Sequence, residues 1–259
     1  MLITLTTDFG LADHYAGTMK GVILGIAPRA QIVDITHECR AYDVSEAAFT
    51  IAQAYAYFPP RTVHVVVVDP GVGTGRRPIL VEAAKQFFVG PDNGVFAMVC
   101  AREKHKVRAI TAQKYFLDPV SKTFHGRDVF APVAAHLAKG VPSSRMGKLV
   151  DDHLRPFSIQ PERTARRGWT GAILKVDRFG NLITNFHVAE FPRIANEQCE
   201  LAVGLERVGK MAANYQECGI GELFLIVGSS GYLEVSANQA SAAKILGCGP
   251  GAPVELTIF

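Results

Sequence analysis

Paired cysteines are missing from this chain of 259 residues: Cys39, Cys100, Cys199, Cys218 and Cys248 are odd in number and far apart. No CxxC occurs, so neither a zinc ribbon nor a disulfide framework is supported, and free thiols in a reducing cytoplasm are expected. HxH and HExxH are absent as well, which leaves no local metal motif. No apolar run approaches the ~18 residues of a spanning helix, and Met1-Leu2-Ile3-Thr4-Leu5 carries no basic region of a signal peptide. A cytoplasmic protein without a membrane partner is therefore expected. Long runs of one charge are lacking, which argues against disorder. The net charge of +3 is too small to point to nucleic acid. The glycines of Gly71–Gly75 have no Gly-Lys-Ser/Thr after them and lack GxGxxG spacing, so they form neither a P-loop nor a dinucleotide fingerprint.

What the chain does have is an apolar fraction of 48% against 20% charged residues, enough for a sizeable core. Up to about residue 140, strand-like runs alternate with helical patterns. Leu2–Leu5, Ile32–Ile35 and Val63–Val68 read as strands, Tyr15–Gly25 and Val44–Ala56 as helices, and Leu80–Ala83 with Phe87–Val89 as a hairpin. Val95–Ala101 reads as a short helix, and Ala131–Leu137 starts another. This alternation predicts an α/β domain over residues 1–162 with a largely parallel sheet flanked by helices. After Pro161, short strands separated by Gly, Asn and Ser turns predict a smaller antiparallel β-barrel over residues 168–259. The arginine-rich stretch Gln160–Gly168 is the expected linker, and Arg163–Arg167 reads as a solvated connection rather than a binding patch.

Candidate chemistry sits at the ends of strands, where open α/β sheets bind ligands. Val65-Val66-Val67-Val68 runs into Asp69, then a glycine turn, then Arg76-Arg77. The run reads as a strand buried on both faces, and Asp69 reads either as a turn cap or as half of a reactive carboxylate–guanidinium pair. Asp8, after the first strand, reads equally as a helix cap or as an acceptor for ribose hydroxyls. His125 lies in Phe124-His125-Gly126-Arg127-Asp128, a loop ahead of a helix, as a structural or a catalytic imidazole, with Arg127 and Asp128 suited to locking the loop. In the second half, Asp177–Asn185 is a turn offering the Asn181 amide, which can both donate and accept. Gly228-Ser229-Ser230-Gly231-Tyr232 is a hydroxyl-rich turn with backbone amides suited to a carboxylate.

Taken in order, Thr6–Gly10 (TTDFG), Asp34–His37 (DITH), Val68–Thr74 (VDPGVGT), Thr123–Pro132 (TFHGRDVFAP), Asp177–Asn185 and Ser229–Tyr232 closely resemble the S-adenosylmethionine hydroxide adenosyltransferases. These form the hydrolase branch of the fluorinase and chlorinase superfamily, and the resemblance covers essentially the whole chain. It implies an amino-terminal α/β domain, a carboxy-terminal β-barrel and a homotrimer with sites between neighbouring subunits. It also implies a reaction, in which S-adenosylmethionine and water give adenosine and methionine with no cofactor or metal. The family's catalytic trio falls on Asp69, Arg76 and His125, with only the family spacing favouring Arg76 over Arg77. Asp8 would hold the ribose, Asp13 and Asp177 the methionine ammonium, Asn181 the adenine, and Ser229 the methionine carboxylate. Ser230 stands where relatives often have arginine, and Tyr232 closes that motif. Tyr42 would lie over the ribose, with Phe124 and Phe179 as apolar walls. Halogenating relatives have tyrosine in place of Asp69, and a fixed carboxylate there repels halide while holding water.

Two other functions compete. One is a metal-dependent hydrolase with Asp8, His37, Asp69 and His125 as ligands. The other is a sensor that binds adenosine or S-adenosylmethionine without turnover, against which the intact trio argues.

Overall fold

The structure is a computed structural model that describes residues 1–154 and 160–259. Residues 155–159, inside the expected α/β domain, lie outside the described residues. The chain divides into two compact units, Met1–Phe157 and Ser158–Phe259.

The first unit runs β1 (Leu2–Thr7), α1 (Tyr15–Ile26), β2 (Gln31–Thr36), α2 (Val44–Ala54), β3 (Val63–Val67), β4 (Pro78–Ala83), β5 (Gln86–Pro91), α3 (Ala97–Arg102), β6 (His105–Ala109), α4 (Ala131–Ala138) and β7 (Leu149–Val150). Its sheet has the order β2-β1-β3-β5-β4-β6-β7. Strands β2, β1, β3 and β5 are parallel, and the β4–β5 hairpin turns the remaining pairings antiparallel. The α/β layer expected from the alternation is thus present with a mixed sheet. A two-residue turn makes the reversal: Ala84 and Lys85 both have positive φ, 50° and 60°, which matches the twist of the flanking strands. Asp43 caps α2 by accepting from the Glu46 amide.

Every residue of β3 is buried, because both faces of the sheet are covered. Alternate residues Val63, Val65 and Val67 join Ile3, Leu5, Met19, Phe130 and Leu137 in one core. The other parity, His64 and Val66, faces the opposite layer, where Phe88 meets Tyr55 and Phe96. His64 is fully buried. Its Nδ1 is 2.7 Å from Thr4 Oγ1, its Nε2 is 3.2 Å from Gln86 Oε1, and its ring stacks on Phe88. Burial pulls its pKa down to about 4, so the ring is neutral, accepting from threonine and donating to glutamine.

The second unit runs β8 (Glu162–Arg163), β9 (Gly168–Val176), β10 (Leu182–His187), β11 (Cys199–Val203), β12 (Glu206–Val208), β13 (Leu223–Val227), β14 (Tyr232–Ala237), α5 (Ala242–Leu246) and β15 (Pro253–Ile258). The antiparallel order is β12-β11-β15-β9-β10-β14-β13, with β8 added to β9. The ends nearly close into a barrel: Leu225 in β13 donates to Lys210 O at 2.7 Å and accepts from Ala212 N at 2.9 Å. Leu182, Phe186, Leu201, Val235 and Leu256 fill the interior. Glu162 and Arg163 pair with Thr170 and Trp169, so the arginine-rich stretch is a hairpin arm of this unit rather than a free connection. Among the described residues no helix is long and apolar enough to cross a membrane.

Candidate active site

At the carboxyl end of β3 the chain passes Val68 and reaches Asp69. Gly71 O then accepts from Thr74 N and Oγ1 at 3.2 and 2.6 Å, and this turn returns Arg76 to the acid. Arg76 Nε donates to both Asp69 oxygens at 2.9 Å, and Nη2 adds a bond to Oδ2. The side chains are 5% and 8% exposed for Asp69 and Arg76, so this is a largely desolvated pair. Gly73 permits the turn to approach its neighbour: φ is +75°, and a Cβ would sit 2.2 Å from Lys122 O.

That neighbouring loop carries His125. Asp128 accepts from Ser121 N at 2.8 Å and from two nitrogens of Arg127, which fixes residues 121–128 in the locking role expected of this pair. A π-helical turn over Gly126–Phe130 follows, a distortion that often accompanies functional sites. Arg76 Nη2 donates to His125 Nδ1 at 2.8 Å, so in the neutral ring the proton sits on Nε2. Burial, then the Arg76 charge, lowers the His125 pKa, which keeps the imidazole neutral around pH 7. Arg76 Nη1 is buried with no partner among the described residues, and the guanidinium also packs over Phe130. Arg77 points elsewhere, to Asp92 at 2.7 Å and Asp152 at 2.8 Å. Geometry therefore separates two arginines that sequence left side by side.

Asp8, Tyr42, Asp69, Phe124 and His125 line one cavity of about 300 Å³, with Phe9, Tyr15, Val67 and Thr123. Asp8 does not cap α1, whose first turn has no side-chain cap; its Oδ2 accepts from Tyr42 N at 2.9 Å. Burial lifts its pKa, and repulsion from Asp69 adds to the rise. Tyr42 is 74% exposed with φ of +67°, a strained conformation for a non-glycine residue. With Asp69 paired to Arg76, the Asp8 carboxylate among aromatic walls favours a cationic, partly apolar ligand. Asp13 is exposed and is not among the residues lining this cavity.

In the barrel unit, a cavity of about 640 Å³ is lined by Phe179, Asn181, Tyr215, Ala237, Asn238, Gln239 and Ala240. Asp177 Oδ1 accepts from the amides of Phe179 and Asn181 at 2.9 Å, which builds the turn. Gly180, at φ +88°, leaves room for Ser241. Asn181 Nδ2 donates to Asp177 Oδ2 at 2.8 Å and Tyr215 Oη at 3.0 Å. Both its amide hydrogens are used, so toward a ligand it can only accept. Ser229 is exposed and Ser230 half-buried in a turn closed by Gly231 N donating to Gly228 O at 2.9 Å. Tyr232 is buried edge-on against His187. Sequence reasoning missed Tyr215 and Glu234. Glu234 is 8% exposed, and burial, with Asp177 nearby, lifts its pKa to about 7. A lone acidic residue in the strand YLEVSA, all of it buried, was the available signal.

His37 does not converge with Asp8, Asp69 and His125. Its Nδ1 meets Thr7 Oγ1 at 2.8 Å and its Nε2 faces Asp34 at 3.1 Å. Among the described residues, the side chains that do come within metal-bridging reach of one another are Cys100, His105 and His153.

Residues 3–147 match the SAM hydroxide adenosyltransferase N-terminal domain and residues 171–255 its C-terminal domain. The chain belongs to the SAM hydroxide adenosyltransferase family. It is similar to the (R)-S-adenosyl-L-methionine hydrolase of Salinispora tropica, 37% identical over 98% of this chain and 97% of the relative. The hydrolase of the same name from Thermus thermophilus is 36% identical over 96% and 97%. A crystal structure of an uncharacterized conserved protein from Thermotoga maritima superposes with a TM-score of 0.91 at 36% identity, covering 99% of this chain and all of that one. Within this adenosyltransferase, the quoted motifs at Asp8, Asp69, Arg76 and His125 all fall in the amino-terminal match.

Proposed function

We infer that this protein hydrolyses S-adenosyl-L-methionine to adenosine and L-methionine. The observation that carries the reading is the desolvated chain Asp69–Arg76–His125 beside a cavity that also holds Asp8, in a chain belonging to this family. Water oxygen attacks the ribose C5′, the C5′–S bond breaks, and its electron pair stays on sulfur. A sulfonium leaves as a neutral thioether, so departure needs neither an acid nor a cofactor. The demand falls on aiming and deprotonating water. In the proposed roles, Asp69 holds the water and takes its proton before release to solvent. Arg76, held against Asp69, supplies the positive charge that stabilises hydroxide character. His125 steadies Arg76 through Nδ1 rather than acting as the base, because the lone pair of its neutral ring is taken by Arg76.

Asp8 takes the ribose hydroxyls, with Tyr42 over the sugar and Phe124 as an apolar wall. In the barrel, Asn181 accepts from the adenine amine, Phe179 adds a wall, and the Ser229–Ser230 turn beside Tyr232 takes the methionine carboxylate. Asp13 and Asp177 face the ammonium. The resemblance supports a homotrimer in which neighbouring subunits complete each site. The absence of disulfides among the five cysteines suits a cytoplasmic location.

Incubation with S-adenosylmethionine in oxygen-18 water tests the reaction. Adenosine carrying the label at its 5′ oxygen is expected. Intact substrate after hours, with binding retained, would instead establish the non-catalytic sensor.

A further inference from the structure

We propose that Cys100, His105 and His153 form a zinc site that braces the antiparallel edge of the α/β unit, separate from the residues lining the reaction cavity. The three come from distinct places: the last turns of α3, the first residue of β6, and the segment after β7. Their ligand atoms all lie within 4.8 Å of one another, and Cys100 and His153 are buried. Tetrahedral zinc with bonds of ~2.0–2.3 Å separates its ligands by roughly 3.3–3.7 Å, so closure asks for shifts of about an ångström. One thiolate and two imidazoles form a donor set that suits Zn²⁺ over harder cations, and a water would complete the fourth position.

The surrounding bonds hold these ligands as an outer shell would. His105 Nδ1 donates to Glu103 O at 2.9 Å, which leaves the Nε2 lone pair for a metal. Glu103 is itself held by the Tyr55 hydroxyl at 2.9 Å. His153 is clamped on both sides. Arg77 donates to the side chain and the carbonyl of Asp152, and Leu154 N donates to Asp92 Oδ1 at 2.8 Å. Arg77, which the chemistry does not use, thereby positions the segment that presents His153. Cys100 and His105 lie five residues apart, but His153 follows 48 residues later, so no motif spacing reveals the set.

The test is Co²⁺ titration of chelator-stripped, full-length protein. Expected are a thiolate-to-cobalt charge-transfer band and tetrahedral visible bands that Zn²⁺ abolishes, together with a rise in Tm on adding Zn²⁺. Cys100→Ala should remove the charge-transfer band. His105→Gln and His153→Ala should each weaken Co²⁺ binding at least by the roughly tenfold that loss of an outer-shell partner costs. His105 is only partly buried, so its variant keeps the question answerable if Cys100→Ala fails to fold. No charge-transfer band in folded wild-type protein, its survival in Cys100→Ala, or unchanged affinity in His105→Gln would overturn the site.

Discussion

Replacing Asp69 by asparagine removes a charge while nearly preserving shape, and the local geometry fixes what should follow. The carboxylate accepts three bonds from Arg76. In the variant, one amide oxygen can still accept, but the amide nitrogen must face guanidinium donors. Arg76, 8% exposed, is then left with an uncompensated charge. Breaking a buried pair in this way costs about 3–5 kcal/mol. At roughly 2–4 °C per kcal/mol for a chain of this size, Tm should fall on the order of 10 °C. Turnover should fall further than stability explains, by about 10²–10⁴-fold, the usual size of a general-base effect. Single-turnover adenosine formation, followed by chromatography well below the variant's Tm, separates the two. The double variant Asp69→Asn/Arg76→Gln should regain much of the stability, because both charges are gone, and remain inactive. Lowered Tm with turnover within a few-fold of wild type would refute a chemical role for Asp69 and leave the pair as a structural clamp.

Asp8→Ala should weaken adenosine binding at least about tenfold by calorimetry, since charge-assisted bonds are worth roughly 1.5–3 kcal/mol each; unchanged affinity would leave Asp8 as a support for Tyr42 only. His125 has a lowered pKa, so kcat should be flat through neutral pH and fall only as pH drops below the ordinary histidine range, where protonating Nδ1 ejects Arg76. A kcat decline centred at or above pH 6.5 would contradict this. Stability should carry two opposing slopes. His64, at about 4 when folded against 6.5, takes up its proton more readily unfolded, so about 3 kcal/mol is lost as pH falls from 6.5 toward 4. Glu234, at about 7 against 4.5, binds its proton more tightly folded. Stability should therefore fall as pH rises from 4.5 to 7, by on the order of 1–2 kcal/mol once solvent screening is allowed for. Denaturant titrations of Glu234→Gln across that window should show this second slope gone.

Much of the fold was legible because its signals are local. Four valines ending on Asp69 announced a strand covered on both faces, and the run of glycines announced its turn. The hairpin at Ala84–Lys85 was placed by its flanking apolar runs, although neither turn residue is of the usual positive-φ type. Harder to see was that β4 and β5 convert the sheet from parallel to antiparallel, since strand direction depends on long-range pairing. Side-chain pairings of the site were least visible. Nothing in Arg76-Arg77 says which guanidinium turns toward Asp69, because that depends on Asp92 and Asp152 capturing the other. Glu234 and Tyr215 escaped notice for the same reason: one is a single acid in a strand, the other a tyrosine in a short helical turn, and only long-range contacts, with Asp177 and Asn181, give either a setting.

The imidazole of His64 works as an indexing pin for the chemistry. Thr4 pairs with His64 and Thr7 with Val67 along the same two strands, and Asp8 and Asp69 lie just beyond the ends of that ladder. Sliding β3 by one residue would keep most valines buried, so hydrophobicity alone opposes the error only weakly. It would also drive the imidazole into the opposite core layer, away from Thr4 and Gln86, and displace Asp69 by about 3.3 Å. A valine at position 64 would suit the core and lose the key. The spacing of the two acids is thus calibrated by a residue that touches neither.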